Sequence, residues 1–549
     1  MRNEPTTLLA EKQPNLSEDL AKPDLEVDGP ALLPFGKLVL VFIGLAMAIL
    51  LAGLDQTIVA TALPKIASDF GAVNQVAWVA TAYMLTATAC QPLYGKFSDI
   101  FGRKIVFLFA IVIFEVGSAL CGASQSMTML IVSRAISGIG GGGIEGMVFI
   151  IITEIVPLRE RGKYQGFIGA TYGIASVLGP LLGGIFTDDT TWRWSFYINL
   201  PFGALTVVIV SLFLQLPTPK GSLKEKIRRI DFLGTALLLG FIITLLLPTE
   251  WGGEDYPWSS PRVISLYCVS GALLIGFIVV ESRFAAEPIV PCRLFGMRNP
   301  LFSFIAQLFF GMAFFGLLYY IPLYFQIVRG DSATTSGLEM LPMLLSASAF
   351  SIISGVIISK TGVTVIWCWV GSAIMTVGVG LLTVWNANTG HGEQIGFLVI
   401  VGTGAGCVIQ TLILAGQSAV SHQDMGVVTA MSSFFRSIGG VLGIAIFGSV
   451  FNNQLITGLS KLSYNIPIKE ATNSFQFMDT LPAEERLAVM GVFQFMDTLP
   501  AEERLAVMGV YVHVLRTIFY IAIGMSGLLF LFSLGIKYIR MQKRSLVLE

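Results

Sequence analysis

Long apolar stretches separated by short polar ones run through almost the whole chain. They lie near residues 38–61, 77–94, 105–123, 127–150, 164–187, 199–216, 231–249, 262–281, 301–325, 338–359, 364–385, 394–417, 427–451 and 512–536. A helix needs about 20 predominantly apolar residues to cross the hydrocarbon core of a bilayer. The pattern therefore predicts an all-α membrane protein with 14 transmembrane helices. Residues 1–35 are polar and lack the short apolar core of a cleaved leader. They read as a disordered tail, with the first span as an uncleaved anchor.

The polar stretches carry positive charge on alternate sides. One side holds Lys96, Arg103 and Lys104, then Arg159, Arg161 and Lys163, then Lys220, Lys224, Lys226, Arg228 and Arg229, then Arg283, Arg293 and Arg298. Lys537, Arg540, Lys543 and Arg544 follow the last span. The opposite loops are nearly bare of Lys and Arg and carry Asp188, Asp189, Glu254 and Asp255. The positive-inside rule assigns the basic side to the cytoplasm, so both termini are expected there.

Residues 475–492 and 493–510 are the same segment, FQFMDTLPAEERLAVMGV, in tandem. Repeats of structural age diverge, so an identical pair reads as a recent in-frame duplication or a gene-model error. It is expected in a long outer loop, 452–511, with short amphipathic helices, and is assigned no function.

Composition excludes more than it adds. The chain of 549 residues is 54% hydrophobic and 13% charged, against about 25% charged in soluble domains. A net charge of −1 offers nothing to a nucleic acid. The 6 cysteines are scattered without CxxC or Cys/His spacing, so neither a disulfide nor a metal site is expected. Gly138-x-Gly140-x-x-Gly143 matches a dinucleotide fingerprint but lies inside a span with no strand before it. There is no GxxxxGK[ST] loop to hydrolyse ATP. The chain reads as a transporter rather than an enzyme, with no cofactor beyond a proton gradient.

Charges inside the spans carry the candidate chemistry. Asp55 and Arg134 each lie in an apolar run, where a charge costs roughly 2.5–3.5 kcal/mol on insertion scales and usually faces a cavity. An acid beside a permanent cation forms a toggle. Moving the cation, or inserting a cationic cargo, changes whether the acid holds a proton. The plainer alternatives are an interfacial carboxylate and a structurally paired arginine. Glu145 follows Arg134 by three helical turns on the same face, about 16 Å along the axis. It reads as a second proton site or a cation contact, or else as a snorkelling or intrahelically paired acid. Arg436 is a further charge without an obvious partner, and Gln410 and Gln417 are polar groups of the second half.

The loop after the second span reads Gly95-Lys-Phe-Ser-Asp99-Ile-Phe-Gly102-Arg103-Lys104. Its glycines permit a tight turn, and Asp99 and Arg103 can make charge-assisted hydrogen bonds to neighbouring helix ends. Glu154, at the inner end of the fourth span, is the expected partner of Arg103. The loop resembles the signature loop of the major facilitator superfamily. Four further stretches resemble its branch of fourteen-span drug:proton antiporters. They are Leu54-Asp55 to Leu63-Pro64, Leu130 to Arg134 and Ser137-Gly138, Trp192-Arg193-Trp194 to Asn199 and Pro201, and span five with Gly166, Ala175, Gly179, Pro180, Gly183 and Gly184. The branch often has Gln at Ser137 and Gly at Ala175. The stretch Leu247 to Trp258 resembles an outer loop of filamentous-fungal members.

The resemblance implies a major facilitator fold of two six-helix bundles plus two extra helices. The tail would occupy 1–35, the first bundle 36–216, a basic linker with the extra pair 217–285, and the second bundle 286–540. It ties Arg134 to proton coupling, makes Gly95–Lys104 a cytoplasmic latch, and makes the span-five pattern an exporter's motif. The small residues of span five are expected to seal the interface between the two halves, where a larger side chain would wedge them apart. The implied function is proton-driven efflux of small hydrophobic compounds, such as fungal metabolites, toxins or drugs, by a monomer in the plasma membrane or, alternatively, the vacuolar one. The rival readings are an importer similar to siderophore carriers and a ligand sensor that does not transport.

Overall fold

The computed structural model describes residues 34–72, 75, 77–252, 256–331, 333–386, 388–461 and 501–539. Among them every regular element is a helix. The first half comprises α1 (Phe35–Phe70), α2 (Ala77–Phe101), α3 (Arg103–Gly122), α4 (Met127–Ile155), α5 (Arg161–Asp189), the short α6 (Trp194–Tyr197) and α7 (Asn199–Phe213). The basic linker forms α8 (Leu223–Arg228), and the extra pair is α9 (Phe232–Trp251) and α10 (Pro261–Arg283). The second half comprises α11 (Arg293–Gly296), α12 (Arg298–Arg329), α13 (Ala333–Glu339), α14 (Leu341–Thr361), α15 (Val365–Leu382), α16 (His391–Ile409), α17 (Thr411–Gln417), α18 (His422–Ser460) and α19 (Ala501–Leu534).

Among the described residues, 13 stretches are long and apolar enough to cross a membrane, with α6–α7, α13–α14 and α16–α17 each counted as one. The helix α2 is more polar and supplies the fourteenth span by its place in the bundle, where it packs on α4, α18 and α9. Each half has its own apolar core, one around Phe107, Phe114 and Ile151, the other around Phe310, Tyr324 and Trp385. A third core, around Leu93, Ile242, Phe304 and Val428, seats the extra pair where α2 and α18 meet. The two halves also touch along α5 and α14.

Glycine decides how closely these helices pack. A Cβ at Gly140 would fall 2.4 Å from the Phe114 backbone nitrogen, and one at Gly142 would fall 2.3 Å from the Ala87 carbonyl. The run that mimics a dinucleotide fingerprint is therefore the surface on which α4 rests against α3 and α2. Gly102 has φ +102, a conformation that a side chain disfavours, and it forms the turn from α2 into α3.

The helix ends depart from the apolar pattern at one place in particular. The expected outer loop 452–511 is shortened at both ends, because α18 continues to Ser460 and α19 begins at Ala501. Hydropathy marks only the part of a helix that meets lipid, whereas backbone hydrogen bonding carries it on into the polar flank. Residues 501–510, the end of the second repeat copy, form the first turns of α19, with Val507 buried. The first copy, 475–492, and the tail 1–33 lie outside the described residues.

Candidate functional site

Asp55 and Arg134 meet between α1 and α4, fully enclosed. Arg134 Nη1 donates to Asp55 Oδ2 at 2.5 Å, and Asn199 Nδ2, at the start of α7, donates to Asp55 Oδ1 at 3.1 Å. Arg134 Nε donates to the Val79 carbonyl at 3.0 Å, and the guanidinium lies over the Tyr83 ring at 4.4 Å. Both carboxylate oxygens and much of the guanidinium are thus engaged, which is what keeps two charges tolerable out of water.

A separate cavity lies between the halves, with about 1290 Å³ of space when its open mouth is included. Gln56, Glu145 and Tyr172 line it from the first half, and Phe310, Gln410 and Arg436 from the second. Asp55 and Arg134 are not among its lining residues. Adjacent residues of α1 serve the two places, Asp55 the ion pair and Gln56 the cavity. Gln56 Nε2 donates to Glu145 Oε1 at 2.6 Å, Gln91 Nε2 donates to Glu145 Oε2 at 3.3 Å, and Tyr172 OH donates to Gln56 Oε1 at 3.2 Å. Tyr83 connects the regions, carrying Arg134 on its ring while lining the cavity.

The Gly95–Lys104 segment lies at the basic end of the molecule. Arg103 pairs with Asp99 within the segment, donates to Ser98 Oγ at 2.5 Å, and reaches Glu154 Oε1 at 3.0 Å. Lys104 donates to the Ser211 carbonyl at the end of α7 at 2.6 Å. The other half approaches the same cluster. His422 Nε2 is 3.7 Å from Glu154 Oε2, and a Cβ at Gly95 would fall 3.0 Å from that of Ala430. Arg159 donates to the Ser359 carbonyl at 2.8 Å and also to that of Lys360, adding a second tie between the halves.

The small residues of span five divide between two interfaces. A Cβ at Gly179 would fall 1.9 Å from Thr57 Oγ1, and one at Gly183 would fall 2.3 Å from Thr61 Oγ1, so both pack on α1 inside the first half. Ala175 accepts a hydrogen bond from Thr57 at its carbonyl, and an added Cβ at Gly184 meets nothing within 4 Å. Of the motif's glycines, Gly166 alone meets the second half, where its added Cβ would fall 2.7 Å from the Ser351 carbonyl. The expectation that Gly179, Gly183 and Gly184 hold the two halves together is corrected. The helical turn that brings Gly166 to α14 rotates Gly179 and Gly183 toward α1. Pro180 sits inside α5.

The sequence reading passed over two acids. Glu115 lies in the apolar run of α3, the same signal that marked Asp55, and both its carboxyl oxygens are buried against α7 without a hydrogen-bond partner among the described residues. Glu287, in the basic loop after α10, accepts from Arg229 Nε and Nη2 at 2.6 and 3.0 Å and pairs with Lys96 at 3.0 Å. The Arg229 fork, with Lys96 beside it, holds the Glu287 carboxyl down to about 2. No periodicity signals such a contact, because it joins the loop after α10 to the linker and to α2, far apart in the chain.

Residues 45–444 match the Major Facilitator Superfamily. The chain is 41% identical over 427 residues to the MFS-type efflux pump MFS1 of Arthroderma benhamiae, covering 77% of this chain and 80% of that protein. It is 40% identical over 440 residues to the efflux pump aunC of Aspergillus niger, covering 80% and 78%. It is 39% identical over 431 residues to the efflux pump aflT of Aspergillus parasiticus, covering 78% and 84%. Among solved structures, the human organic anion transporter MFSD10 (TETRAN) superposes with a TM-score of 0.53 at 17% identity, over 88% of this chain and 99% of that one, a likeness of fold. With its paired helical halves and intervening cavity, this multi-pass membrane transporter belongs to the major facilitator superfamily.

Proposed function

We propose that this protein exports small hydrophobic compounds, such as fungal secondary metabolites, toxins or drugs, across the plasma membrane in exchange for protons, with both termini in the cytoplasm. The observation that carries the reading is the enclosed Asp55–Arg134 pair beside, but outside, a large cavity lined by aromatic rings. Cargo binds in the cavity while the proton is handled at the pair, and Tyr83 is the mechanical link between them. Protonating Asp55 removes the charge that holds Arg134, so the contacts of α1, α4 and α7 loosen together. The contacts of Arg103, Glu154 and Arg159 at the basic end latch the cytoplasmic side until the halves rock. The efflux-pump names of the relatives support the outward direction.

The test is purified protein in liposomes with an imposed pH gradient. A hydrophobic dye should move against its concentration gradient only when protons flow the opposite way, and a proton uncoupler should abolish the movement. Dye moving in the same direction as protons would favour an importer. Saturable binding without movement in either direction would favour a sensor. Fluorescent tagging of the protein distinguishes the plasma membrane from the vacuolar one.

A further inference from the structure

We infer that the cavity's cargo carries an anionic group, a carboxylate or phenolate on a flat aromatic body, and that Arg436 is the residue that anchors it. The inference rests on the export reading only in taking this cavity as the cargo site.

Arg436 stands on α18 with 9% of its surface exposed and lines the cavity. The helix lies close on α12 because Gly311 leaves room, an added Cβ there falling 2.1 Å from the Arg436 carbonyl. Among the described residues its guanidinium makes no hydrogen bond and no ion pair within 4.0 Å. The other deeply buried arginines are engaged. Arg134 has Asp55 and the Val79 carbonyl, and Arg161 has the Thr153 and Val156 carbonyls. A buried cation left without acceptor partners is costly, and a forked guanidinium is suited to a carboxylate.

The acid that shares the cavity attracts Arg436 across a gap but makes no hydrogen bond or close ion pair with it. Both oxygens of Glu145 are taken by the amides of Gln56 and Gln91, on its own half. A cationic cargo would meet a carboxylate whose oxygens already accept hydrogen bonds, whereas an anionic one meets a guanidinium fork whose donors make none. Ser351 Oγ lines the same cavity from the second half, is buried without a hydrogen-bond partner among the described residues, and can donate to an anionic group. The stacked rings of Phe310 and Phe314, with centroids 5.3 Å apart, offer a flat apolar face for the body of such a molecule.

The experiment is equilibrium binding to the purified full chain in detergent, without any gradient, read by fluorescence anisotropy. The probes are fluorescein and rhodamine 6G, which share a xanthene ring and differ in charge. Fluorescein is expected to bind at least about tenfold tighter than rhodamine 6G, a difference of ~1.4 kcal/mol. Arg436→Gln should weaken fluorescein by about tenfold or more and leave rhodamine 6G unchanged or tighter, with Arg436→Lys in between. Should Arg436→Gln fail to fold, competition on the unaltered protein decides: salicylate should displace fluorescein and benzylamine should not. Equal or tighter rhodamine 6G binding, binding of neither dye, or fluorescein affinity unmoved in a folded Arg436→Gln protein overturns the inference. Binding without a gradient is blind to direction and coupling. Arg436-dependent fluorescein binding by a protein that exports nothing leaves this inference standing and removes the export reading. Proton-driven export of rhodamine 6G without fluorescein binding does the reverse.

Discussion

Asp55 and Arg134 form a unit whose members fail in different ways. Asparagine at 55 is close in shape and keeps one acceptor oxygen for Arg134 Nη1, but its amide nitrogen replaces the oxygen that accepts from Asn199 and the ionisable group is lost. Asp55→Asn is expected to reach the membrane at normal level and to lose gradient-driven efflux by about tenfold or more, a barrier change of ~1.4 kcal/mol or above. Arg134→Ala leaves Asp55 enclosed without its cation, which costs roughly 3–5 kcal/mol, so it should lower the melting temperature as well as abolish transport. Arg134→Lys retains the charge but not the reach to both Asp55 and the Val79 carbonyl, so efflux should fall strongly while the protein stays folded. Efflux assays paired with thermal melts separate the three. An Arg134→Ala protein that transports with unchanged pH dependence would leave the arginine a purely structural role.

At the scale of the helix, α5 has two faces with different duties. Leucine at Gly179 would collide with Thr57 inside the first half, and overpacking of this kind costs about 1–3 kcal/mol or more. Gly179→Leu should therefore reduce folded yield and thermal stability. Leucine at Gly166 would instead press on the Ser351 backbone of the other half. Gly166→Leu should leave the first half folded and slow or block the exchange between states. Measuring melting temperature and turnover for both variants decides, and indistinguishable effects would remove the distinction between the faces. The repeat gives a second test at this scale. Because the copies are identical, deleting 475–492 leaves the same residues in front of Tyr511 to start α19. Membrane level and efflux of the deletion protein should match those of the full chain, and loss of either would give the extra copy a role.

For the whole molecule, Glu287 ties the loop after the extra pair to the linker at Arg229 and to the first bundle at Lys96. Its carboxyl is held at about 2 when folded, below the ordinary carboxylate value of about 4.3. A depressed folded value stabilises above the unfolded one, so this contact is fully present at neutral pH and is lost as pH falls from roughly 4.3 through about 2. The melting-temperature difference between the unaltered protein and Glu287→Gln should be largest near neutral pH, shrink below about 4 and shrink in high salt, because the pair is partly exposed. A difference independent of pH would mean that the carboxylate's charge contributes nothing.

The sequence alone determined the class, the number of spans and the family likeness, because each depends on local properties. A span is a run of apolar side chains long enough for the bilayer, and the Gly95–Lys104 motif is a fixed spacing within one turn. It also singled out Asp55, Arg134 and Glu145, since an ionisable residue in an apolar run stands out without any structure. It marked Glu115 by the same signal, which went unread. The tertiary structure decided what each charge faces. Asp55 and Gln56 are neighbours in the chain, yet one is sealed against Arg134 and the other opens to the cavity, because successive residues of a helix lie about 100° apart around its axis. Rotation likewise sent Gly179 to α1 and Gly166 to α14. Arg436 is a charge in an apolar run by sequence, and only the packing of α18 on α12 places it in the cavity wall, facing Glu145 without a hydrogen bond to it.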